Sequence, residues 1–296
     1  MHDHAHASLS FGQGILLLPF AAAALIYLAA AVAESVGGRP WPWWRTGCWV
    51  AGVGLTALAL LPLTLAAADR PFTGHAVGHL LIGMVAPVLL VLAAPVTLAL
   101  RSFALQPARR LSRALRSVPV RVVTHPVVAA VLSVGSLWML YTSPVYAATA
   151  DPLVHLLVML HFLVAGCLFT ASVTPVDPAP HRASLRVRVV VLLFALAAHG
   201  ILAKTLYASG FSPDSAGAGG LSALVQVPGV AVADLQTGAQ VMYYGGDAVD
   251  LVLLALVLLG WYRSSGRRRS AWPPAGRTSD RAEGTTVAAA SRKETR

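Results

Sequence analysis

Two histidines, His75 and His79, head the segment "HAVGHLLIGMVAPVLLVLAAPVTLALR", which carries no charge until Arg101. On a helix, residues four apart share a face and lie about 6 Å apart along the axis, so two imidazoles at this spacing can bind one ion. The zinc-protease HExxH motif uses the same spacing, but no acidic residue here matches it. A second segment, "HLLVMLHF", puts His155 and Met159 on one helical face, with His161 about 9 Å from His155 along the axis and about 120° around it. His199 in "LAAHGILAK" and Asp247 and Asp250 in "YYGGDAVD" are further polar residues in otherwise apolar runs. Imidazole, thioether and carboxylate donors suit copper better than magnesium or calcium, and the same donors admit zinc or a haem held between two histidines. Each residue also has a plainer reading. A lone intramembrane histidine can bond a neighbouring carbonyl, and Met84, Met139 and Met159 can simply fill a core.

The elements that must position these residues are membrane helices. The 296 residues are 56% hydrophobic and 11% charged, whereas a soluble domain carries about a quarter charged residues. Seven apolar stretches, near 14–34, 46–68, 75–100, 126–147, 153–173, 187–209 and 242–262, are long enough to cross a bilayer as helices. The first has no Lys or Arg before it and is long for a signal peptide, so it reads as a span. Of 22 Lys and Arg, 20 fall in the alternate loops and the tail that an N-outside, C-inside topology puts in the cytoplasm; Arg70 and Lys204 are the exceptions. The expected fold is an all-α polytopic bundle of seven transmembrane helices in a bacterial plasma membrane. The net charge of +10 then reflects topology and attraction to anionic lipid, with no nucleic-acid partner implied.

Three regions are expected: an extracytoplasmic tail at 1–13 with His2, His4 and His6, a transmembrane domain at 14–263, and a basic disordered tail at 264–296. In this topology His75, His79, His155, His161 and His199 lie in the outer half of the bilayer, while His125 and His181 lie on the cytoplasmic side. Lys204 is expected to snorkel or to pair with an Asp of the seventh span. Cys48 and Cys167 read as ordinary small residues. No P-loop, GxSxG or HExxH motif is present, so the chain does not read as an enzyme.

Six segments in order resemble the CtaG-type cytochrome c oxidase assembly factors: the His75–His79 segment, "HPVVAAVL", "HLLVMLHFLVAGCLF", "VDPAPHR", "LAAHGILA" and "DLQTGAQVMYYGGD". The likeness covers about residues 40 to 262. It implies a non-enzymatic role in building the respiratory oxidase, with copper handled on the outer side and passed to an oxidase subunit or copper chaperone. His75, His79, His125, His155, His161 and His199 match the family's histidines, and Asp234, Gln236 and Gly238 match its Asp-x-Gln-x-Gly; Asp247 stands where a Glu is expected. The candidate metal set is therefore His75, His79, His155, His161, His199, Asp247 and Met159. Two other readings stay open: a haem- or quinone-binding redox protein, for which His161 and His199 have equal depth, and a copper transporter. The charge asymmetry predicts that a topology reporter fused after Ser270 reports cytoplasm and one inserted at Asp214 reports the exterior. Both reporters on one side would refute the assigned orientation.

Overall fold

The computed structural model describes residues 11–60, 70–174, 176–179, 182–210 and 221–270. The amino-terminal His2, His4 and His6, together with His181, Asp214 and the chain beyond Ser270, lie outside the described residues. Every regular element among the described residues is helical. In order they are α1 (Phe11–Val36), α2 (Trp43–Leu60), α3 (Pro71–Leu80), a π-helical turn (Leu81–Val85), α4 (Ala86–Leu92), α5 (Pro95–Ser102), α6 (Leu105–Leu115) and α7 (Val118–Val123). There follow α8 (Pro126–Ala130), a second π-helical turn (Val131–Gly135), α9 (Ser136–Thr142), α10 (Val145–Ala148), α11 (Pro152–Val173), α12 (Leu185–Ser209), a 3₁₀ turn (Leu221–Leu224) and α13 (Val232–Ser270). Contacts divide the chain into Met1–Val257 and Leu258–Arg296. The described part of the second unit, 258–270, is helical.

Five stretches are long and apolar enough to cross a membrane: Leu17–Val36, Pro71–Ser102, Pro152–Val173, Leu185–Ser209 and Val232–Arg263. Pro126–Thr142 is apolar but shorter, and α2 carries Arg45 in its first turn. Three expected boundaries need correction. The last helix begins at Val232, ten residues before the expected 242, so Asp234, Gln236 and Gly238 lie inside it, while Gly245, Gly246 and Asp247 are helical as expected. The third span is interrupted at Ala94, whose φ of 53° is left-handed and ends α4 before Pro95 starts α5. The fourth helix stops at Thr142, five residues before the expected 147, where Ser143 turns extended ahead of Pro144. The break at Ala94 is held from outside: the Tyr27 hydroxyl donates to the Ala93 carbonyl at 2.7 Å and accepts from Trp41 Nε1 at 3.1 Å.

Large apolar side chains face outward all along these helices; Phe194 is 72% exposed and Ile26 70%. In lipid such residues lose nothing by exposure, so the helices are held together by close packing and by hydrogen bonds. The buried apolar residues form a small cluster around Tyr27, Trp41 and Leu98 and two larger layers. One layer joins Phe72, Ile82, Tyr141, Met159, Leu206 and Met242, and the other Val88, Ala129, Phe169, Leu192, Leu253 and Val257. Close approach is extreme at Gly166, where an added Cβ would overlap the Gly83 carbonyl and stand 2.7 Å from Pro87.

The two helix starts within the third span, at α3 and at α5, are capped by carboxylates from distant segments. At Pro71-Phe72-Thr73, Asp234 accepts from Phe72 N at 2.8 Å, from Thr73 N at 3.0 Å and from Thr73 Oγ1 at 2.6 Å. At Pro95-Val96-Thr97, Asp177 accepts from Val96 N at 3.3 Å, from Thr97 N at 2.9 Å and from Thr97 Oγ1 at 2.6 Å. Each Pro-x-Thr helix start thus exposes amide donors that no residue of its own helix satisfies, and a carboxylate remote in sequence supplies the acceptor. Asp234 is buried, and it fastens the start of α3 to the start of α13. Replacing Asp234 with Ala should leave two amides unpaired and cost about 2 kcal/mol, a typical value for a lost N-cap in a buried setting. The measurement is the thermal midpoint of the purified protein in detergent. An unchanged midpoint would mean that water replaces the carboxylate without loss.

Candidate metal-binding site

α3, α11 and α13 begin at the same end of the bundle and α12 finishes there. His75 of α3 packs on His155 of α11, Asp234 of α13 caps α3, and a Cβ added to Gly210 after α12 would touch Gln236 and Val232 of α13. The site histidines therefore come from three helices, α3, α11 and α12, and α13 adds aspartates beside them. His75 and His79 belong to different groups, although one turn separates them. The His75 ring lies 5.8 Å from that of His155, centroid to centroid, with Tyr146 at 5.3 Å and Tyr141 at 6.2 Å. Its Nε2 is buried without a hydrogen-bond partner. Two imidazoles sharing one ion at nitrogen–metal distances of about 2 Å have centroids roughly 6 Å apart, so the separation suits a shared ion. The two rings meet edge to face at 68°.

His79 lies one turn deeper and is only 3% exposed. The edge-on ring of Phe162 stands 4.4 Å from it, and Gly83 passes close enough that an added Cβ would be 3.2 Å from His79 Cε1. His79 shares a cavity of about 30 Å³ with His199, Asp250, Thr170 and Ser133, where the two apolar layers meet. Both π-helical turns open onto this cavity, through Gly83 and Met84 on one side and Ser133 and Val134 on the other. Such turns widen the helix and expose backbone that a regular helix would hide, and they recur at functional sites. His79 Nδ1 and both ring nitrogens of His199 are buried without hydrogen-bond partners. In a low-dielectric interior, unpaired polar atoms are costly, so this is where a ligand would be stabilised.

The remaining expected site residues lie elsewhere. His161 points out of the bundle, exposed, with Nε2 3.1 Å from the Leu132 carbonyl, which is the plain helix-to-helix bond. It does not line the cavity that holds His199, so the equal-depth pair considered for haem is not assembled. Met159 is buried in the apolar layer with Phe72 and Tyr141, on the same face of α11 as His155. Asp247 is half-buried and within electrostatic reach of His199, while Asp250, one turn further and 3% exposed, lines the cavity itself. His125 is the residue before α8 and is not among those that line the cavity. Lys204 is exposed and stands 5.1 Å over the Tyr243 ring, a cation–π contact in place of the expected pairing with Asp. Cys48 and Cys167 are free and half-buried. Among the described residues no group of three or more His, Cys, Asp or Glu surrounds a common point; His75 meets His155, and His79 shares its cavity with His199.

Asp250 and Thr170 line the cavity although neither belongs to the expected metal set. Asp250 carries a readable signal: it continues the buried series Ala239, Met242, Gly246, Leu253 and Val257 at intervals of three and four, and so must face inward.

The sequence profile of the cytochrome c oxidase caa3 assembly factor family (Caa3_CtaG) matches residues 25–264. An uncharacterized protein of Mycobacterium leprae is 27% identical over 255 residues, covering 81% of this chain and 38% of its own length. An uncharacterized protein of Mycobacterium bovis is 31% identical over 195 residues, covering 62% of this chain and 29% of its own. The chain thus spans well under half the length of these relatives. No solved structure matches it.

Gly246 sets how close α13 comes to α12, because a Cβ there would overlap the His199 ring. Gly246→Ala should displace that ring and cost about 1–3 kcal/mol through overpacking. A lower thermal midpoint with unchanged helical content by circular dichroism is the expected result. A midpoint equal to that of the parent would mean that the cavity accommodates the shifted imidazole freely.

Proposed function

Because the chain belongs to the cytochrome c oxidase caa3 assembly factor family, we propose that it helps build the respiratory oxidase by taking up copper at the His75–His155 pair and passing it to an oxidase subunit or a copper chaperone. The observation that carries this reading is the juxtaposition of two imidazoles from different helices, with the Nε2 of His75 buried and unsatisfied. Copper(I), a soft cation served well by two imidazoles with a nearby thioether, fits this donor set, and Met159 lies one turn from His155 on the same face.

The role needs no chemistry on the protein beyond binding and release, and we read the chain as a non-catalytic component. Seven spans with the amino terminus outside and the carboxyl terminus in the cytoplasm would place the shared end of α3, α11 and α13 on the outer face of a bacterial plasma membrane. The distribution of Lys and Arg supports that orientation, with basic loops left to meet anionic lipid on the inner face. An ion from outside would then meet His75 before His79.

The test is replacement of both His75 and His155 with Ala in cells that depend on this protein. Membrane insertion should persist, because neither residue supplies the apolar length that drives it. Oxidase activity should fall at least tenfold under copper limitation and recover partly with added copper. Full activity in copper-limited cells would refute delivery through these histidines, and failed insertion would assign them a structural role.

A further inference from the structure

We infer that the cavity between α3, α9, α11, α12 and α13 is a second cation station, distinct from the His75–His155 pair, where His79 and His199 hold one copper(I) and Asp250 offsets its charge. The inference rests on the uptake reading given above and extends it inward.

Three independent features point to a ligand there. The first is a surplus of donors: His79 Nδ1 and both nitrogens of His199 are unpaired, and each residue is 3% exposed, so water outside the protein cannot satisfy them. The second is charge. Asp250 is 3% exposed and lines the cavity, and among the described residues the one ion pair is Arg39–Glu34, with Asp250 in none. A buried carboxylate with no counter-ion is costly, and a bound cation offsets it. The third is size and shape. About 30 Å³ admits a single ion or a single water, and two π-helical turns on different helices open the backbone toward it. The His79 ring is flanked by Phe162 and Gly83, and His199 is pressed by Gly246, so both imidazoles are confined.

The two stations are linked by the pitch of α3. His75 turns toward His155 and His79 toward His199, so an ion leaving the first pair needs to move only about one helical turn to reach the second. Met159 lies one turn from His155 in the buried layer, and Phe162, on the same face of α11 as both, already touches the His79 ring. A thioether is therefore the soft donor placed between the levels.

The test is copper(I) titration of the full-length purified protein in detergent, under reductant and against a chromogenic copper(I) chelator. The parent should bind two equivalents. His199→Ala should lose one and keep the other, and His155→Ala should do the reverse. Asp250→Asn, which preserves shape, should weaken the His155→Ala protein's remaining site at least tenfold, and X-ray absorption of that protein loaded with one copper should show two nitrogen neighbours. One equivalent that disappears in His155→Ala and is untouched by His199→Ala would overturn the second station while leaving the uptake reading intact. One equivalent lost in either variant would mean a single shared site and would also overturn it. No copper bound by the parent would overturn the uptake reading and this inference together, leaving the cavity to a water or a shared proton.

Discussion

The carboxylate of Asp234 across the first turn of α3 is the contact on which the arrangement of histidines depends. It closes a separation of 162 residues between Phe72 and Asp234 with two backbone amides and one hydroxyl. By fixing where α3 begins relative to α13, it sets the depth of His75 and His79 against His199 and Asp250. The same device at Asp177 fixes the start of α5, just past the break in the span. In a medium where apolar burial contributes nothing between helices, two charge-assisted caps of this kind are strong determinants of register. They also account for two of the segments through which the sequence resembles its family, "VDPAPHR" and "DLQTGAQ": in each, the Asp caps the first turn of another helix.

The polar cavity and the apolar layers constrain one another. Each layer is made dense by small residues at crossings, as at Gly166 against Gly83 and Gly245 against Leu80. That density leaves little room between them, so the few polar groups that face the junction are held with limited freedom to reorient. The unsatisfied nitrogens of His79 and His199 are thus a property of packing as much as of chemistry. A looser bundle would let these rings rotate toward a carbonyl, as His161 does at its exposed position.

Much of this was legible in the sequence, for identifiable reasons. Apolar length announced the membrane helices, and spacing put His75 with His79 and His155 with Met159 on common faces. The inward face of α11, marked by Met159, Phe162, Ala165 and Phe169, excludes His161, and attention to that phase alone would have set it aside. What could not be read was the partition of His75 and His79 between two groups, because it depends on which side chains of α9, α11 and α12 stand opposite each. Nor could the early start of α13 be foreseen: Gly245 and Gly246 lower helix propensity locally, and the loss is offset only by the close contacts with Leu80 and His199. The break at Ala94 belongs to the same class, since a partner distant in the chain, Tyr27, holds it.

The paired π-helical turns make the cavity a dislocation in the bundle. Each such turn inserts one residue beyond the regular repeat and slips the helical phase by about 100°, so the stripe that faces inward before the turn is not the one that faces inward after it. Two helices slip at the same level, and their stripes rejoin on the far side against the second apolar layer. Deleting a single residue from Leu81–Val85 would therefore do more than shorten a helix. It would heal the dislocation, rotate His79 out of line with α4, and leave no gap for the two halves of the bundle to close around.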